Sequence, residues 1–208
     1  MAISGGHAHA LAVRGDGTVV AMGTAGWNET SIPAGLANVV AVAAGWGTSA
    51  ALRADGTVVA WGRSQDGQLN IPAGLAHVVR IAAGVRHFLA LKSDGTVVAW
   101  GYDGYGQATV PAGLSNVIDI EGAMFQSRAL KADGTVVTWG RAGGLYAAPP
   151  GVPNVVSIAN AVTLRDATAD TRPVITTQPA SITVDEGTTA SFTVGATGAG
   201  FFTYRWRK

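Results

Sequence analysis

The pentapeptide Asp-Gly-Thr-Val-Val occurs four times in this 208-residue chain, and each copy follows the previous one by 39 residues. The copies lie at residues 16–20, 55–59, 94–98 and 133–137. A fixed period of this length indicates a repeat architecture, in which each repeat is one supersecondary unit that packs against its neighbours. The chain therefore consists largely of four copies of one unit.

Each repeat has the composition of short β-strands. In the second repeat, residues 38–44 (NVVAVAA) are apolar and β-branched, and Gly45 ends the run. Residues 49–53 and 57–62 flank Asp55-Gly56. An Asp-Gly pair between apolar runs predicts a hairpin, because both turn residues tolerate positive φ.

A fourth, short edge strand is predicted at residues 68–71. Pro72 would stop it, since proline has no amide proton to continue a ladder. Four short strands in a unit of about 40 residues are typical of the blade of a β-propeller. We therefore expect an all-β fold in which every repeat is one blade.

The third repeat resembles that of the regulator of chromosome condensation family, through GVRHFLAL at residues 84–91, Asp94-Gly95, Trp100-Gly101 and Gly106-Gln107. It is similar still more closely to the propeller-type β-lactamase-inhibitory proteins of soil bacteria. The resemblance covers about residues 1–165 and implies blades of a seven-bladed ring. Four repeats then predict an incomplete arc of that ring, in a fragment of a longer protein; a closed four-bladed ring is the less favoured alternative.

The last part of the chain differs from the repeats. Residues 166–173 are polar and are predicted to form a linker. Residues 174–208 resemble the opening third of a bacterial immunoglobulin-like domain, in which Trp206 would be the core tryptophan. Such a sandwich needs about 100 residues. We therefore expect a partial domain here, with Trp206 more exposed than the tryptophans of the repeats.

Composition narrows the classes of partner. The net charge is +1 and only 13% of the residues are charged, whereas nucleic-acid binding would need a basic excess. Residues 32–52 carry no charge and are long enough to span a membrane. Glycines at 35, 45 and 47 divide this segment into strand, turn and strand. We predict neither a nucleic-acid partner nor a membrane span.

Motifs for catalysis, cofactors and metals are absent from the sequence: it contains no phosphate-loop lysine, nucleophile elbow or calcium loop. The lack of cysteine excludes thiol catalysis. His7 and His9 could share a strand face as metal ligands, but no third ligand is nearby, and His9 occupies the position of His87 in its own repeat. We predict no enzymatic activity, no cofactor and no metal.

Comparison among the four repeats separates scaffold from candidate site. Shared positions build the blade: the Asp-Gly turns, His9 and His87, and the inter-blade tryptophans Trp61, Trp100 and Trp139. Positions that differ are free to serve a partner, and they fall in two sets of loops. The first set is His7-Ala8, Trp46-Gly47, Val85-Arg86 and Met124-Phe125, joined by Phe88. The second set is Trp27-Asn28, Gln65-Asp66, Asp103 to Tyr105, and Leu145-Tyr146.

The first set supplies the predicted partner-binding residues, because aromatic residues, methionine and arginine are enriched in interface cores. In the similar inhibitors, loops at one rim carry aromatic contacts to the target enzyme, and the first set matches those loops by position. Ordinary variation between loops is the alternative explanation. The residues expected together on one rim are Trp46, Arg86, Phe88, Met124 and Phe125.

The leading functional prediction is a non-catalytic protein-binding scaffold, part of a larger secreted or cell-surface bacterial protein. The alternative is an inhibitor of a secreted enzyme, which the resemblance to the β-lactamase-inhibitory proteins implies. Guanine-nucleotide exchange is disfavoured. In the family that activity uses an inserted hairpin, and the uniform 39-residue spacing leaves no room for one.

Overall fold

The computed structural model describes residues 2–24, residues 26–141 and Ile158, together with two strands further along the chain. The chain divides into two compact units, Met1–Arg165 and Asp166–Lys208. The described residues form strands and turns, and they include no helix that is long and apolar enough to cross a membrane. The predicted all-β propeller architecture is confirmed.

Each repeat forms a three-stranded antiparallel sheet with its strands in chain order, and we call these sheets blades 1 to 4. Blades 1 and 2 consist of β1 (Ile3–Gly5), β2 (His9–Val13), β3 (Val19–Gly23), β4 (Val39–Ala44), β5 (Thr48–Arg53) and β6 (Val58–Gly62). Blades 3 and 4 consist of β7 (Val78–Ala83), β8 (His87–Lys92), β9 (Val97–Gly101), β10 (Val117–Gly122), β11 (Gln126–Lys131) and β12 (Val136–Gly140).

The predicted fourth strand at residues 68–71 does not form. Hydrogen bonds within the loop occupy the backbone there: Gly67 donates to the carbonyl of Ser64, and Asn70 donates to the carbonyl of Gly67. The Gln68 side chain accepts a 2.8 Å hydrogen bond from the amide of Asp66. Such local side-chain bonds compete with strand ladders. The prediction of four strands was therefore wrong, and the blade has three.

The Asp-Gly pairs lie at the hairpin tips, as predicted, but only the glycine adopts positive φ. Gly17 has φ +77°, and its amide donates to the carbonyl of Arg14. This is a three-residue loop with a left-handed glycine. Asp16 Oδ1 accepts hydrogen bonds from the amide of Thr18 at 2.9 Å and from its hydroxyl at 2.7 Å. The Asp and Thr of the repeated motif therefore stabilise the turn from within.

The same glycine docks each blade on the next. The Gly17 carbonyl accepts from the amide of Val39 at 2.9 Å, and the Gly56 carbonyl accepts from that of Val78 at 3.2 Å. A Cβ at Gly17 would lie 3.2 Å from the Cα of Asn38. The glycine is thus required both for its φ and for the close approach of the next blade.

The repeated tryptophans lie between blades, as predicted. Trp61 and Trp100 are buried, at 6% and 5% exposure. Their indole nitrogens donate to the carbonyls of Glu29 at 2.8 Å and Gln68 at 2.9 Å, in the loops that lead into blades 2 and 3. Trp139 donates in the same way to the carbonyl of Gln107, at 3.0 Å. One side chain thus fills the core and also satisfies a loop carbonyl.

In the second unit, β13 (Val174–Thr177) and β14 (Gly195–Thr197) pair in an antiparallel manner. The predicted linker at residues 166–173 lies outside the described residues, as does Trp206. The partial immunoglobulin-like domain predicted at residues 174–208 is described only in these two strands.

Candidate protein-interaction site

Among the described residues, both predicted sets of loops lie at the same end of the blades; Leu145-Tyr146 of the second set lies outside the described residues. Because β4 and β5 are antiparallel, the turn at residues 45–47 lies at the end of blade 2 opposite its Asp-Gly tip. The loop at residues 63–70 begins beside that turn, since Thr48 pairs with Gly62 and the Arg63 amide donates to the carbonyl of Gly47 at 2.7 Å. The other blades follow the same pattern, and we call this end the upper rim.

Trp46 is the centre of a cluster on the upper rim. The guanidinium carbons of Arg63 and Arg86 each lie 4.6 Å from the centroid of the Trp46 ring. Trp27 contacts Trp46 edge-on with centroids 5.6 Å apart, and His7 does so at 6.2 Å. Side chains from blades 1, 2 and 3 therefore meet on one tryptophan.

The cluster continues onto blade 4. Arg86 also lies over Tyr102, 5.8 Å from its centroid, and Tyr102 is in edge contact with Phe125 at 6.3 Å. Tyr105 packs on Phe125 at 5.1 Å, and Arg141 lies 5.3 Å from the centroid of Tyr105. The result is one continuous series, the aromatic–arginine ladder. Its members are His7, Trp27, Trp46, Arg63, Arg86, Tyr102, Tyr105, Phe125 and Arg141.

The structure brings together four of the five residues predicted for partner binding. Trp46, Arg86 and Phe125 belong to the ladder, and Met124 lies beside Phe125 with 48% of its surface exposed. Phe88 does not lie on the rim. It is fully buried, and its ring stacks on Trp100 with centroids 5.5 Å apart. We therefore remove Phe88 from the candidate site.

Comparison of the two sets of loops missed Arg63, Tyr102 and Arg141. Each directly follows the last glycine of the third strand in its blade, and Thr24 holds the same position in the first repeat. A position occupied by Thr, Arg, Tyr and Arg differs between repeats as clearly as the loops do. The same comparison, carried one residue past the Trp-Gly pair, would have found all three.

Two arginines of the ladder, Arg63 and Arg86, share a single nearby carboxylate, that of Asp66. Its Oδ2 lies 3.6 Å from Arg63 Nη2 and 3.7 Å from Arg86 Nη1. The same oxygen accepts a 3.1 Å hydrogen bond from Gln68 Nε2. Arg63 is only 8% exposed. Within the part of the chain that the structure describes, the buried Nε atoms of both arginines lack a hydrogen-bond partner.

A depression of about 270 Å³ adjoins the ladder where the first strands of the four blades end. Eight of the residues that line it are glycine or alanine: Gly5, Gly6, Ala44, Gly45, Ala83, Gly84, Gly122 and Ala123. The others are His7, Trp46, Val85 and Met124. Because most of the lining residues are small, the depression has room for an apolar side chain from another molecule.

Beneath the rim, buried histidines link neighbouring blades. His87 Nε2 lies 2.9 Å from Ser127 Oγ, and that hydroxyl donates to the carbonyl of Gln107 at 2.7 Å. Since a serine hydroxyl has one proton to donate, His87 Nε2 must carry the proton of the first bond. His9 and Ser49 repeat the arrangement at 3.0 Å. Burial lowers the pKa of His87 to about 4.

Between blades 2 and 3 this relay is replaced by an apolar contact. Thr48 stands where the neighbouring blades have histidine, and Phe88 stands where they have serine. Both residues are fully buried. Phe88 belongs to one buried core cluster with Ala43 and Ala50 of blade 2, so an apolar ring stands at the position that serine holds at the other two interfaces.

The histidines considered as metal ligands do not converge. His9 bonds to Ser49, whereas His7 lies against Trp46. Among the residues that the structure describes, no group of three or more His, Asp or Glu side chains is placed to hold a metal ion.

A sequence model of the regulator of chromosome condensation (RCC1) repeat matches residues 39–68 and 78–107. Each match runs from the first strand of a blade, blade 2 or blade 3, to the Gln that caps its upper loop. Blades 2 and 3 thus match the RCC1 repeat. No curated protein sequence matches the chain.

Solved propeller structures share this architecture. The ectodomain of the Physcomitrella patens receptor kinase CR4 is similar with a TM-score of 0.60 and 25% identity over 73% of this chain and 42% of that one. Prp20p of Saccharomyces cerevisiae is similar with a TM-score of 0.55 and 26% identity over 65% of this chain. This chain covers 42% of the length of that Prp20p structure, so it spans about two fifths of these relatives.

Proposed function

We propose that this chain is a non-catalytic protein-binding scaffold that captures its partner on the upper rim. The observation that carries the proposal is the aromatic–arginine ladder, which crosses all four blades. Tryptophan, tyrosine and arginine are the side chains most enriched in interface hot spots. Trp27 and Tyr105 remain 41% and 45% exposed, so they offer apolar surface that a partner could cover.

The scaffold holds the ladder in place before a partner arrives. The residue after each third strand is bonded to the neighbouring turn: the Tyr102 amide donates to the carbonyl of Arg86, and the Arg141 amide donates to that of Phe125, both at 2.9 Å. Side chains that are already ordered lose less conformational entropy on binding. This supports recognition by a preformed surface.

The similar structures are consistent with a protein partner. One Prp20p structure was described together with its binding to Gsp1p and histones. Another shows yeast RCC1 (Prp20) bound to Kap60, with a TM-score of 0.52 and 25% identity to this chain. We propose the same general role here, with a partner of its own. The predicted location, secreted or at the cell surface of a bacterium, is part of this proposal, and inhibition of a secreted enzyme is its narrower form.

The proposal is tested with short disulfide-closed peptide loops displayed on phage and selected on the immobilised chain. Tyr105→Ala should weaken binding of the selected loops by about 30-fold or more, since hot-spot truncations cost at least about 2 kcal/mol. Its free energy of unfolding should fall by only about 1–2 kcal/mol, because the half-exposed ring loses its contacts with Tyr102 and Phe125.

Val79→Ala is the matched control. Val79 is 51% exposed on β7, outside the ladder. We expect its binding of the loops to equal that of the unchanged chain. Selected loops that bind Tyr105→Ala and Trp46→Ala as well as they bind the unchanged chain would refute the upper rim as the site.

A further inference from the structure

Two arginines on the ladder share one carboxylate and bind it weakly. The distances from Asp66 Oδ2 to Arg63 Nη2 and Arg86 Nη1, 3.6 and 3.7 Å, exceed the 2.7–2.9 Å of a charge-assisted hydrogen bond. Gln68 Nε2 already occupies that oxygen at 3.1 Å. Asp66 therefore balances one of two positive charges, and it does so through contacts longer than a charge-assisted hydrogen bond.

We propose that Arg63 and Arg86 form a carboxylate-binding subsite that takes an aspartate or glutamate side chain of the protein partner. The inference rests on the proposed function and names the chemistry that the partner must present. Arg63 and Arg86 belong to different blades, and the guanidinium carbon of each lies 4.6 Å from the centroid of the Trp46 ring. A carboxylate above Trp46 can therefore meet donors from both.

Burial makes this pair of arginines selective for an anion. Arg63 is 8% exposed, so its charge has lost most of its water, and electrostatic interactions there are stronger than on an open surface. Arg86 retains 27% of its side-chain surface and leaves the approach open. The guanidinium group forms two parallel bonds to a carboxylate, which favours this ligand. A cationic side chain is disfavoured, because it would add a third positive charge.

The neighbouring depression extends the subsite. Trp46 belongs to the ladder and also lines the depression, most of whose other lining residues are glycine or alanine. A partner whose carboxylate lies over Trp46 can place a neighbouring apolar side chain in the depression. The expected motif is an acidic residue adjacent to an apolar one, presented on a loop.

The test uses two loop libraries on phage, one with all amino acids and one without aspartate and glutamate. We expect binders from the full library to contain an acidic residue beside an apolar one. Exchanging that residue of a selected loop for its amide should reduce affinity at least about tenfold, as loss of a hydrogen bond to a charged group does. Arg86→Gln should reduce affinity equally, and the two changes together should cost little more than either alone.

Arg53→Gln is the matched control, since Arg53 lies at the Asp-Gly end of β5, away from the rim. The amide exchange in the loop needs no variant of the chain, so misfolding of an arginine variant cannot obscure the result. Loops that bind through Trp46 and Tyr105 but tolerate both the amide exchange and Arg86→Gln would overturn the subsite and leave the proposed function intact. Failure of both libraries to yield loops that depend on Trp46 would overturn the proposed function and the subsite with it.

Discussion

Thr48 and Phe88 take the place of a histidine–serine pair at the interface between blades 2 and 3. We predict that this interface can be converted to the histidine–serine form by exchanging both residues. Phe88→Ser alone should destabilise the chain by about 3–5 kcal/mol, because a fully buried ring is lost and a cavity remains. Thr48→His alone should cost about 1–3 kcal/mol, since Thr48 is fully buried and the larger imidazole would overpack its surroundings. In each single variant, the new imidazole or the new serine hydroxyl lacks the other member of the histidine–serine pair.

The double variant should recover much of this loss. Position 48 would then carry the histidine that His87 provides in the next blade, and position 88 would carry the equivalent of Ser127. The carbonyl of Gln68, which already accepts from Trp100, would receive the serine hydroxyl, as the Gln107 carbonyl does. The histidine–serine hydrogen bond, which needs both changes and contributes about 1 kcal/mol, and relief of the overpacking, about 1–3 kcal/mol, give a coupling of about 2–4 kcal/mol.

The assay is urea unfolding of the four proteins of this double-mutant cycle, followed by tryptophan fluorescence and far-ultraviolet circular dichroism. A double variant more stable than the sum of the single changes by 2 kcal/mol or more supports the reasoning. If the changes add to within about 0.5 kcal/mol, as for independent sites, the relay is not a unit that can be moved between interfaces.

Two further predictions concern the scaffold. The pKa of His87 is lowered to about 4 mainly by burial, although the Asp103 charge acts to raise it. Between pH 6.5 and 4 the unfolded chain therefore binds more protons than the folded chain. The free energy of unfolding should fall by about 3 kcal/mol as the pH drops through this window. The variant His87→Gln places at position 87 the glutamine that the next repeat has at position 126. Its free energy of unfolding, measured across the same pH window, should lack this fall of about 3 kcal/mol. A pH profile like that of the unchanged chain would contradict the attribution of the fall to His87. Gly56→Ala should lower the melting temperature more than Gly74→Ala does. Both glycines have φ near +80°, a conformation that costs alanine about 1–2 kcal/mol. Of the two, only position 56 would bring a Cβ against the next blade, 3.2 Å from the Cα of His77. Equal losses would show that the tip does not dock there.

Local sequence was sufficient to predict the blades because their determinants lie within a few residues of one another. Asp16, Gly17 and Thr18 form the tip through bonds among themselves and the preceding strand. The 39-residue period then repeats that unit. Local pattern failed at residues 68–71, where the Gln68 side chain bonds the loop backbone that a strand would have used.

The candidate site was predicted in part because variation between repeats shows where a position is free, but not which way its side chain points. The residue at position 88 differs from its counterparts in the other repeats, as rim residues do. Its side chain is nevertheless buried and packs in the core, where phenylalanine stands in place of serine. The ladder depends on contacts such as those of Trp46 with Arg63 and Arg86, far apart in sequence and partly on different blades. The sequence by itself thus determined the repeat, its turns and its strands, which depend on short-range backbone preferences. Only the tertiary structure decided which side chains meet on the upper rim, because the spacing and rotation between blades follow from the packing of their cores.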